Sequence, residues 1–193
     1  MQARFPFVVT SVVVFMLLTA GLALAIDPGL VRAAFASSEE GDGLRYVSNR
    51  PTLTLDGAKR AAGAALVYAR SHGAPGGAVA VVDAGGHTLY LERLDRTFPA
   101  AAEVSIGKAR TAVNFGKPTR GLEEAINNGR AALLPVADVT WFTPLQGGVP
   151  IVVQNEVIGG IGVSGAANQQ QDEQIAAIGA QAIAGASGVG ARP

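Results

Sequence analysis

The stretch from Gly147 to Gly165, GGVPIVVQNEVIGGIGVSG, restricts the possible fold of this 193-residue chain more than any other part. It contains two short apolar runs, Val149–Val153 and Val157–Val163, joined by the polar residues 154–156. Two β-branched runs with a short polar link are typical of a β-hairpin. Because the runs are apolar at nearly every position, both faces of these strands are expected to be covered.

The second run is rich in glycine, at positions 159, 160, 162 and 165. Glycines leave little side chain over a strand, so a helix, another subunit or a flat ligand can approach the backbone closely. The segment Gly160–Gly165 also fits the G-x-G-x-x-G pattern of dinucleotide-binding folds, which requires a second parallel strand further along the chain. Only one helix, from Asp172 to about Ala186, is predicted to follow. The glycines are therefore predicted to serve close packing.

Hydrophobic periodicity and turn residues predict the remaining elements. They are a helix at 54–72, strands at 78–82 and 87–94, helices at 100–115 and 120–128, and an edge strand at 139–143. Thr54 and Thr119 are predicted to cap the first and third helices. Leu55, Leu89 and Leu91 are predicted to face the core. Strands joined as hairpins, with helices between the hairpins, predict an α+β fold with an antiparallel sheet.

Composition excludes several classes of function. The chain has 15 basic and 15 acidic residues and no basic cluster, which argues against a nucleic-acid partner. It has no cysteine, so disulfides, thiolate catalysis, zinc–cysteine sites and a lipoprotein anchor are excluded. Its 25 glycines and many alanines predict a closely packed core of small side chains.

The N-terminus resembles a secretory signal peptide. Arg4 precedes an apolar run from Phe5 to Ile26, and A-x-A cleavage signals end at Ala25 and at Ala36. The run is also long enough to span a bilayer as an uncleaved anchor. Residues 1–36 are therefore predicted to direct the domain to the periplasm or outside the cell, with no membrane contact unless this segment is retained. Residues 37–51 are predicted to form a linker and residues 188–193 a tail.

Few residues are candidates for chemistry. His72, near a helix C-terminus, is expected to interact with the helix dipole and solvent, whereas His87, after a turn, is either a solvated strand-end residue or a metal ligand. Lys108 and Thr111 lie three positions apart and share a helix face. The acidic pair Asp172–Glu173 is expected to interact favourably with the dipole at the N-terminus of the last helix. Alternatively, the two carboxylates form an acid/base site.

With these residues in place, positions 52–187 resemble the GlcG/HbpS-like family, also called the haem-degrading or PduO-C-like domain. Four segments carry the resemblance: Val79–Asp83 with Gly86-His87; Lys108–Ala112 with Phe115 and Pro118-Thr119; Gly147–Ile151; and Ile158–Gly165 with Asp172-Glu173. The resemblance implies a profilin-like α-β-α layered domain with a five-stranded antiparallel sheet. It also implies assembly into homo-oligomers, as dimers or larger rings.

The resemblance further implies binding of haem or, in the PduO-like branch, of a corrinoid. Thr111 and, more weakly, Lys108 match the family segment implicated in haem contact, and His87 matches a family position without an assigned role. Arg96, Lys108 and Arg110 are candidate partners for the haem propionates. Threonine is a poor axial ligand, so haem held through Thr111 is expected to be weakly bound, high-spin and exchangeable. The residues Arg96–Pro99 replace a Gly-Ala-Pro-Pro-like loop of the family and alter the local shape of the site.

Four functional hypotheses follow. The first is an exported haem- or tetrapyrrole-binding protein that acts in scavenging or sensing, and the fourth is the release of haem iron with peroxide. The second is an enzyme acting on a small organic acid or a carbonyl, with Asp83, His87 or the Asp172–Glu173 pair transferring protons. The third is a structural oligomer with an incidental ligand. Because no set of nucleophile, base and orienting group emerges, the sequence favours a binding protein over an enzyme.

Overall fold

The structure is a computed structural model that describes residues 48–138 and 141–185. The predicted signal peptide or anchor, most of the linker and the tail lie outside these residues. The described elements follow the chain in this order: α1 Leu55–Ser71, β1 Ala78–Asp83, β2 Thr88–Arg93, α2 Ala101–Phe115, α3 Arg120–Asn127, a 3₁₀ helix Ala131–Asp138, β3 Gly148–Val153, β4 Glu156–Ser164 and α4 Gln169–Ala184. Among the described residues, no helix has the length and apolar character that crossing a membrane requires.

The four strands form one antiparallel sheet in the order β2-β1-β4-β3. This confirms the predicted α+β fold with an antiparallel sheet. The predicted edge strand at 139–143 is wrong in its described part, because Trp141–Thr143 is a turn followed by irregular chain. The described ranges therefore contain four strands, and the five-stranded, profilin-like arrangement stays a prediction.

The hairpin predicted from Gly147–Gly165 is confirmed. Strands β3 and β4 pair from Gly148 with Gly162 to Val153 with Glu156. The two turn residues, Gln154 and Asn155, have φ values of 51° and 63°. A two-residue turn with both residues in the left-handed region matches the right-handed twist of the strands.

Helices cover both faces of the sheet. On one face, valine and isoleucine side chains of β1 and β4 pack against alanines of α1 and α4. On the other face, α2 approaches the backbone of β4 at Gly160 and Gly162. A Cβ atom on Gly160 would lie 2.8 Å from the Ala109 oxygen, and one on Gly162 would lie 2.6 Å from the Ala109 nitrogen. The prediction that these glycines serve close packing is confirmed.

Two leucines predicted to face the core are instead exposed. Leu55 is 48% exposed in the first turn of α1, and Leu91 is 40% exposed. Leu91 lies on β2, an outer strand of the sheet, where neighbouring side chains cover less of each residue, and it pairs with Ala80 of β1. Strict alternation was therefore a poor guide to burial at this edge.

Thr54 caps α1 as predicted, since its Oγ1 accepts a hydrogen bond from the Gly57 amide. Thr119 does not cap α3, and that prediction is wrong. Its backbone is helical rather than extended, so the hydroxyl is not directed at the free amides of the first turn. Instead, Oγ1 donates to the Leu145 carbonyl at 2.7 Å and accepts from the Gly148 amide at 2.9 Å. Thr119 thus fixes the chain that enters β3.

Replacing Thr119 with valine is expected to lower the free energy of unfolding by about 2 kcal/mol, because the buried Gly148 amide loses its acceptor. Thr119→Ser keeps the hydroxyl and is expected to retain most of the stability. Urea denaturation of both variants measures the difference. Equal losses for valine and serine would show that the hydroxyl has no such role.

Candidate functional site

A cleft of about 290 Å³ lies between the β1–β2 turn and helix α2. The residues that line it carry an imidazole, a guanidinium, an amide and an indole, together with two glycines: His87, Arg110, Asn114, Trp141, Gly85 and Gly86. Two of the predicted site residues, His87 and Arg110, are therefore brought together here.

The turn between β1 and β2 places His87 at the rim of the cleft. Asp83 Oδ1 accepts hydrogen bonds from the amides of Gly85 at 2.8 Å and His87 at 2.9 Å, which fixes the turn. Gly86 has a φ of 80°, a conformation that favours glycine. Gly85 also leaves room for the imidazole, because a Cβ atom there would lie 2.9 Å from Nδ1 of His87.

The His87 side chain is 82% exposed, and its Nδ1 lies 3.4 Å from Asp83 Oδ1. A carboxylate beside Nδ1 favours the tautomer with the proton on that nitrogen, which leaves the Nε2 lone pair free. Nε2 makes no hydrogen bond or ion pair within the described part of the chain. The imidazole is thus oriented by the turn and open to a ligand.

Helix α2 contributes Arg110 and Asn114, one turn apart. Arg110 Nε donates to the Gly86 carbonyl at 2.9 Å, and Asn114 Nδ2 donates to the Arg110 carbonyl at 3.0 Å. The terminal nitrogens of Arg110 have no partner among the residues that the structure describes. A guanidinium held through Nε in this way can present its remaining donors to an anion.

Trp141 supplies the aromatic part of the cleft and is the only tryptophan in the sequence. Its ring centroid lies 6.2 Å from that of Phe115 and 6.2 Å from that of Phe142. These distances are typical of tilted and edge-to-face aromatic contacts. The lining of the cleft therefore combines an aromatic ring with the imidazole and the guanidinium.

The other two predicted cofactor residues, Lys108 and Thr111, do not line the cleft. Thr111 is 0% exposed, and its Oγ1 donates to the Trp141 carbonyl and accepts from the Thr143 amide. Lys108 is 3% exposed, and its Nζ donates to the Val163 carbonyl and to Asp172 Oδ2. Both lie on the α2 face that is turned toward the protein interior, and their predicted contact with a ligand stays a prediction.

The remaining candidates also lie apart from the cleft. Arg96 is exposed and has a left-handed φ of 63°. Asp172 is buried against Lys108, whereas the partly buried Glu173 lies 3.7 Å from the exposed Arg120. Within residues 48–138 and 141–185, no three histidine, aspartate or glutamate side chains converge as a metal site.

Two residues of the cleft, Asn114 and Trp141, were not predicted from the sequence. Asn114 had a usable signal, since residues four apart on a helix share a face and it follows Arg110 by four positions. Trp141 had none, because a contact with Thr111, 30 residues earlier, holds it in place.

Comparison with known proteins places these features in a family. The sequence model of "Haem degrading protein HbpS-like" matches residues 53–181. Protein GlcG of Escherichia coli is 48% identical over 86 residues, which are 45% of this chain and 62% of GlcG, so the chain spans less than two thirds of that relative.

Solved structures agree with this match. A double mutant of HbpS from Streptomyces reticuli superposes with a TM-score of 0.63 and 34% identity, over 71% of this chain and 90% of that one. The complex of PduOC with haem superposes with a TM-score of 0.62 and 26% identity, over 69% of this chain and 96% of that one. The family match covers well over half of the chain. The chain therefore belongs to the family "Haem degrading protein HbpS-like".

Proposed function

We propose that this protein binds haem, or a related tetrapyrrole, in the cleft between the β1–β2 turn and α2. The observation that carries the proposal is the convergence of His87, Arg110 and Trp141 on one cleft. These side chains supply an iron donor, a cation and an aromatic surface, which are the three features that haem binding requires. Membership of the HbpS-like family and the haem complex of the related PduOC support haem as the ligand. A corrinoid is the alternative tetrapyrrole.

Each residue has a defined part in this proposal. Nε2 of His87 is the iron donor, because the Asp83 carboxylate lies 3.4 Å from the other ring nitrogen. The terminal nitrogens of Arg110 bind a propionate, while its Nε stays on the Gly86 carbonyl. The indole of Trp141 contacts the macrocycle. Thr111 does not fit the role of axial ligand, since its hydroxyl is buried and hydrogen-bonded on both sides.

The dimensions of the cleft indicate an exposed and exchangeable ligand. Pockets that bury most of a drug-sized ligand are typically about 300–1,000 Å³, and this cleft lies just below that range with about 290 Å³. One subunit therefore covers only part of a tetrapyrrole, and a second copy in a homo-oligomer would cover more. Partial coverage suits a protein that takes up and releases haem, as in scavenging or sensing. The apolar N-terminal run supports a periplasmic or secreted location for this role.

The test is a titration of the purified domain with haemin, followed by absorbance at the Soret band. The wild-type protein is expected to give a saturable shift. His87→Ala is expected to weaken binding at least about tenfold, since an axial contact worth 1.4 kcal/mol or more is lost. His72→Ala is the matched control: His72 is also exposed, but it stacks on Tyr68 at 3.8 Å at the end of α1, away from the cleft.

Arg110→Ala is expected to weaken haemin binding as well, and a control is Arg120→Ala on the surface of α3. A featureless titration of the wild-type protein would contradict the proposal outright. If the His87→Ala and His72→Ala proteins bound haemin with equal affinity, the protein would still be a haem-binding protein, but the site would not be this cleft.

A second candidate function is an enzyme acting on a small organic acid or a carbonyl. The observation that favours it is the Asp83–His87 pair, 3.4 Å apart, beside a guanidinium that can bind a carboxylate. A carboxylate that orients an imidazole is an arrangement used in general acid/base catalysis. Two results together would favour this function over haem binding. The wild-type protein would turn over a small acid and the His87→Ala and Asp83→Asn proteins would not, and the wild-type protein would show no saturable binding of haemin.

A further inference from the structure

We infer that Thr111 is a positioning residue, which holds Trp141 in the wall of the cleft and does not itself touch the ligand. The effect on ligand binding rests on the proposed function, whereas the effect on Trp141 stands without it. The hydroxyl of Thr111 makes two hydrogen bonds to one segment of the chain. It donates to the Trp141 carbonyl at 3.0 Å and accepts from the Thr143 amide at 2.6 Å. Because the residue is 0% exposed, a ligand in the cleft cannot reach this hydroxyl.

The segment Trp141–Thr143 needs such an attachment. It belongs to neither a strand nor a helix, and within the described ranges its backbone groups form no hydrogen bond with another backbone group. The Thr111 hydroxyl therefore supplies hydrogen bonds of the kind that a neighbouring strand would otherwise make. It accepts from one backbone amide of the segment and donates to one backbone carbonyl. A single side chain that satisfies a donor and an acceptor two residues apart fixes the direction of the backbone between them.

Close packing on α2 supports the same conclusion. A Cβ atom on Gly107 would lie 2.9 Å from Cβ of Thr143, so the segment rests directly on the helix backbone. Gly107 and Thr111 are four residues apart and share one helix face. Together they form the surface of α2 on which the segment packs. The first residue of the segment, Trp141, lines the cleft. A change at Thr111 is thus expected to move the indole while leaving His87 and Arg110 in place.

The chain offers a direct reporter, because Trp141 is its only tryptophan. Thr111→Val removes the hydroxyl with little change of volume, and Thr111→Ser keeps the hydroxyl. In the ligand-free protein, Thr111→Val is expected to shift the tryptophan emission to longer wavelength and to raise its quenching by acrylamide. Thr111→Ser is expected to match the wild-type protein in both measurements. Melting temperatures of the two variants show that the comparison is made on folded protein.

The binding readout separates positioning from contact. Thr111→Val is expected to weaken haemin binding by about tenfold, in line with a lost hydrogen-bonded constraint, and Thr111→Ser is expected to restore it. In a Trp141→Ala background, Thr111→Val is expected to cause no further loss, since it acts through the indole that is already missing. Additive losses in this double-mutant cycle would show a direct contact and overturn the inference.

Two further outcomes are decisive. Unchanged tryptophan emission and quenching in Thr111→Val would overturn the inference even if haemin binds. If the wild-type protein does not bind haemin, the proposed function fails, and the fluorescence comparison alone decides whether Thr111 positions Trp141.

Discussion

Replacing Gly162 with alanine is expected to lower the free energy of unfolding by about 3 kcal/mol or more, at the upper end of the usual cost of overpacking. The added methyl group would collide with the Ser105 carbonyl oxygen and lie 2.6 Å from the Ala109 nitrogen. Both atoms belong to the backbone of α2, so no side-chain rotation can relieve the contact. The helix must move away from the sheet, and its contacts with β1 and β4 weaken.

The same substitution at Gly63 is a matched control, for which the free energy of unfolding is expected to change in the opposite direction. Gly63 is exposed in the middle of α1, and a Cβ atom there would meet nothing within 4 Å. Gly63→Ala is therefore expected to stabilise the protein by up to about 1 kcal/mol, because alanine favours the helix. Chemical denaturation of both variants under identical conditions measures the difference. If Gly162→Ala were as harmless as Gly63→Ala, the close approach of α2 to β4 would be incorrect.

The displacement of α2 also gives this prediction a functional consequence. Arg110 and Asn114 lie on α2 and line the cleft, so a shift of the helix changes the distance between the guanidinium and His87. Haemin affinity of the Gly162→Ala protein is accordingly expected to fall, while that of Gly63→Ala stays at the wild-type value.

The parts of the fold that were predicted from the sequence have local signals. Thr54 caps α1 through an amide three residues away, and the turn at Gln154-Asn155 connects two apolar runs that are adjacent in the chain. The close-packing role of Gly160 and Gly162 was also predictable, since glycine in a buried strand indicates a close neighbour. In each case the signal in the sequence is local, even though the helix that approaches the two glycines lies far from them along the chain.

The parts that were not predicted depend on partners far along the chain. The hydroxyl of Thr119 is paired with Leu145 and Gly148 rather than with its own helix. Thr111 and Lys108 bond with residues 30 to 64 positions later, which turns them into interior residues. The spacing of Lys108 and Thr111 predicted that they share a helix face. It did not indicate which element covers that face. His87 and Arg110 meet for a similar reason, because a carbonyl in the β1–β2 turn accepts from an arginine of α2.

Lys108→Met is expected to lower the free energy of unfolding by about 4 kcal/mol, because it leaves the carboxylate of Asp172 buried without its cation. The Lys108 and Asp172 side chains are 4% and 8% exposed, and Nζ lies 2.9 Å from Oδ2. The same ammonium also donates to the Val163 carbonyl at 2.8 Å, and Asp172 Oδ1 accepts from the Ala166 amide at 3.0 Å. This ion pair therefore connects α2, the end of β4 and the first turn of α4.

The ion pairs of the exposed Arg120 with Glu124 and Glu173 are the control. Arg120 is 58% exposed, with Nε 3.7 Å from Glu173 and 3.8 Å from Glu124. Arg120→Met is expected to cost less than about 1 kcal/mol, since exposed ion pairs contribute little. In the double variant Lys108→Met/Asp172→Leu, part of the lost stability is expected to return, because an apolar pair replaces an unpaired charge. Recovery remains incomplete, since the Ala166 amide has lost its acceptor.

A haemin titration of the Lys108→Met protein, well below its melting temperature, decides what the ammonium does. The geometry predicts unchanged affinity, because Nζ is bonded to Val163 and Asp172 and does not line the cleft. A lower affinity than that of the Arg120→Met protein, in a fully folded sample, would support the direct contact that the sequence predicted for Lys108. A large loss of stability with full retention of haemin binding would instead assign this buried lysine to the fold, and leave ligand binding to His87, Arg110 and the indole that Thr111 holds in place.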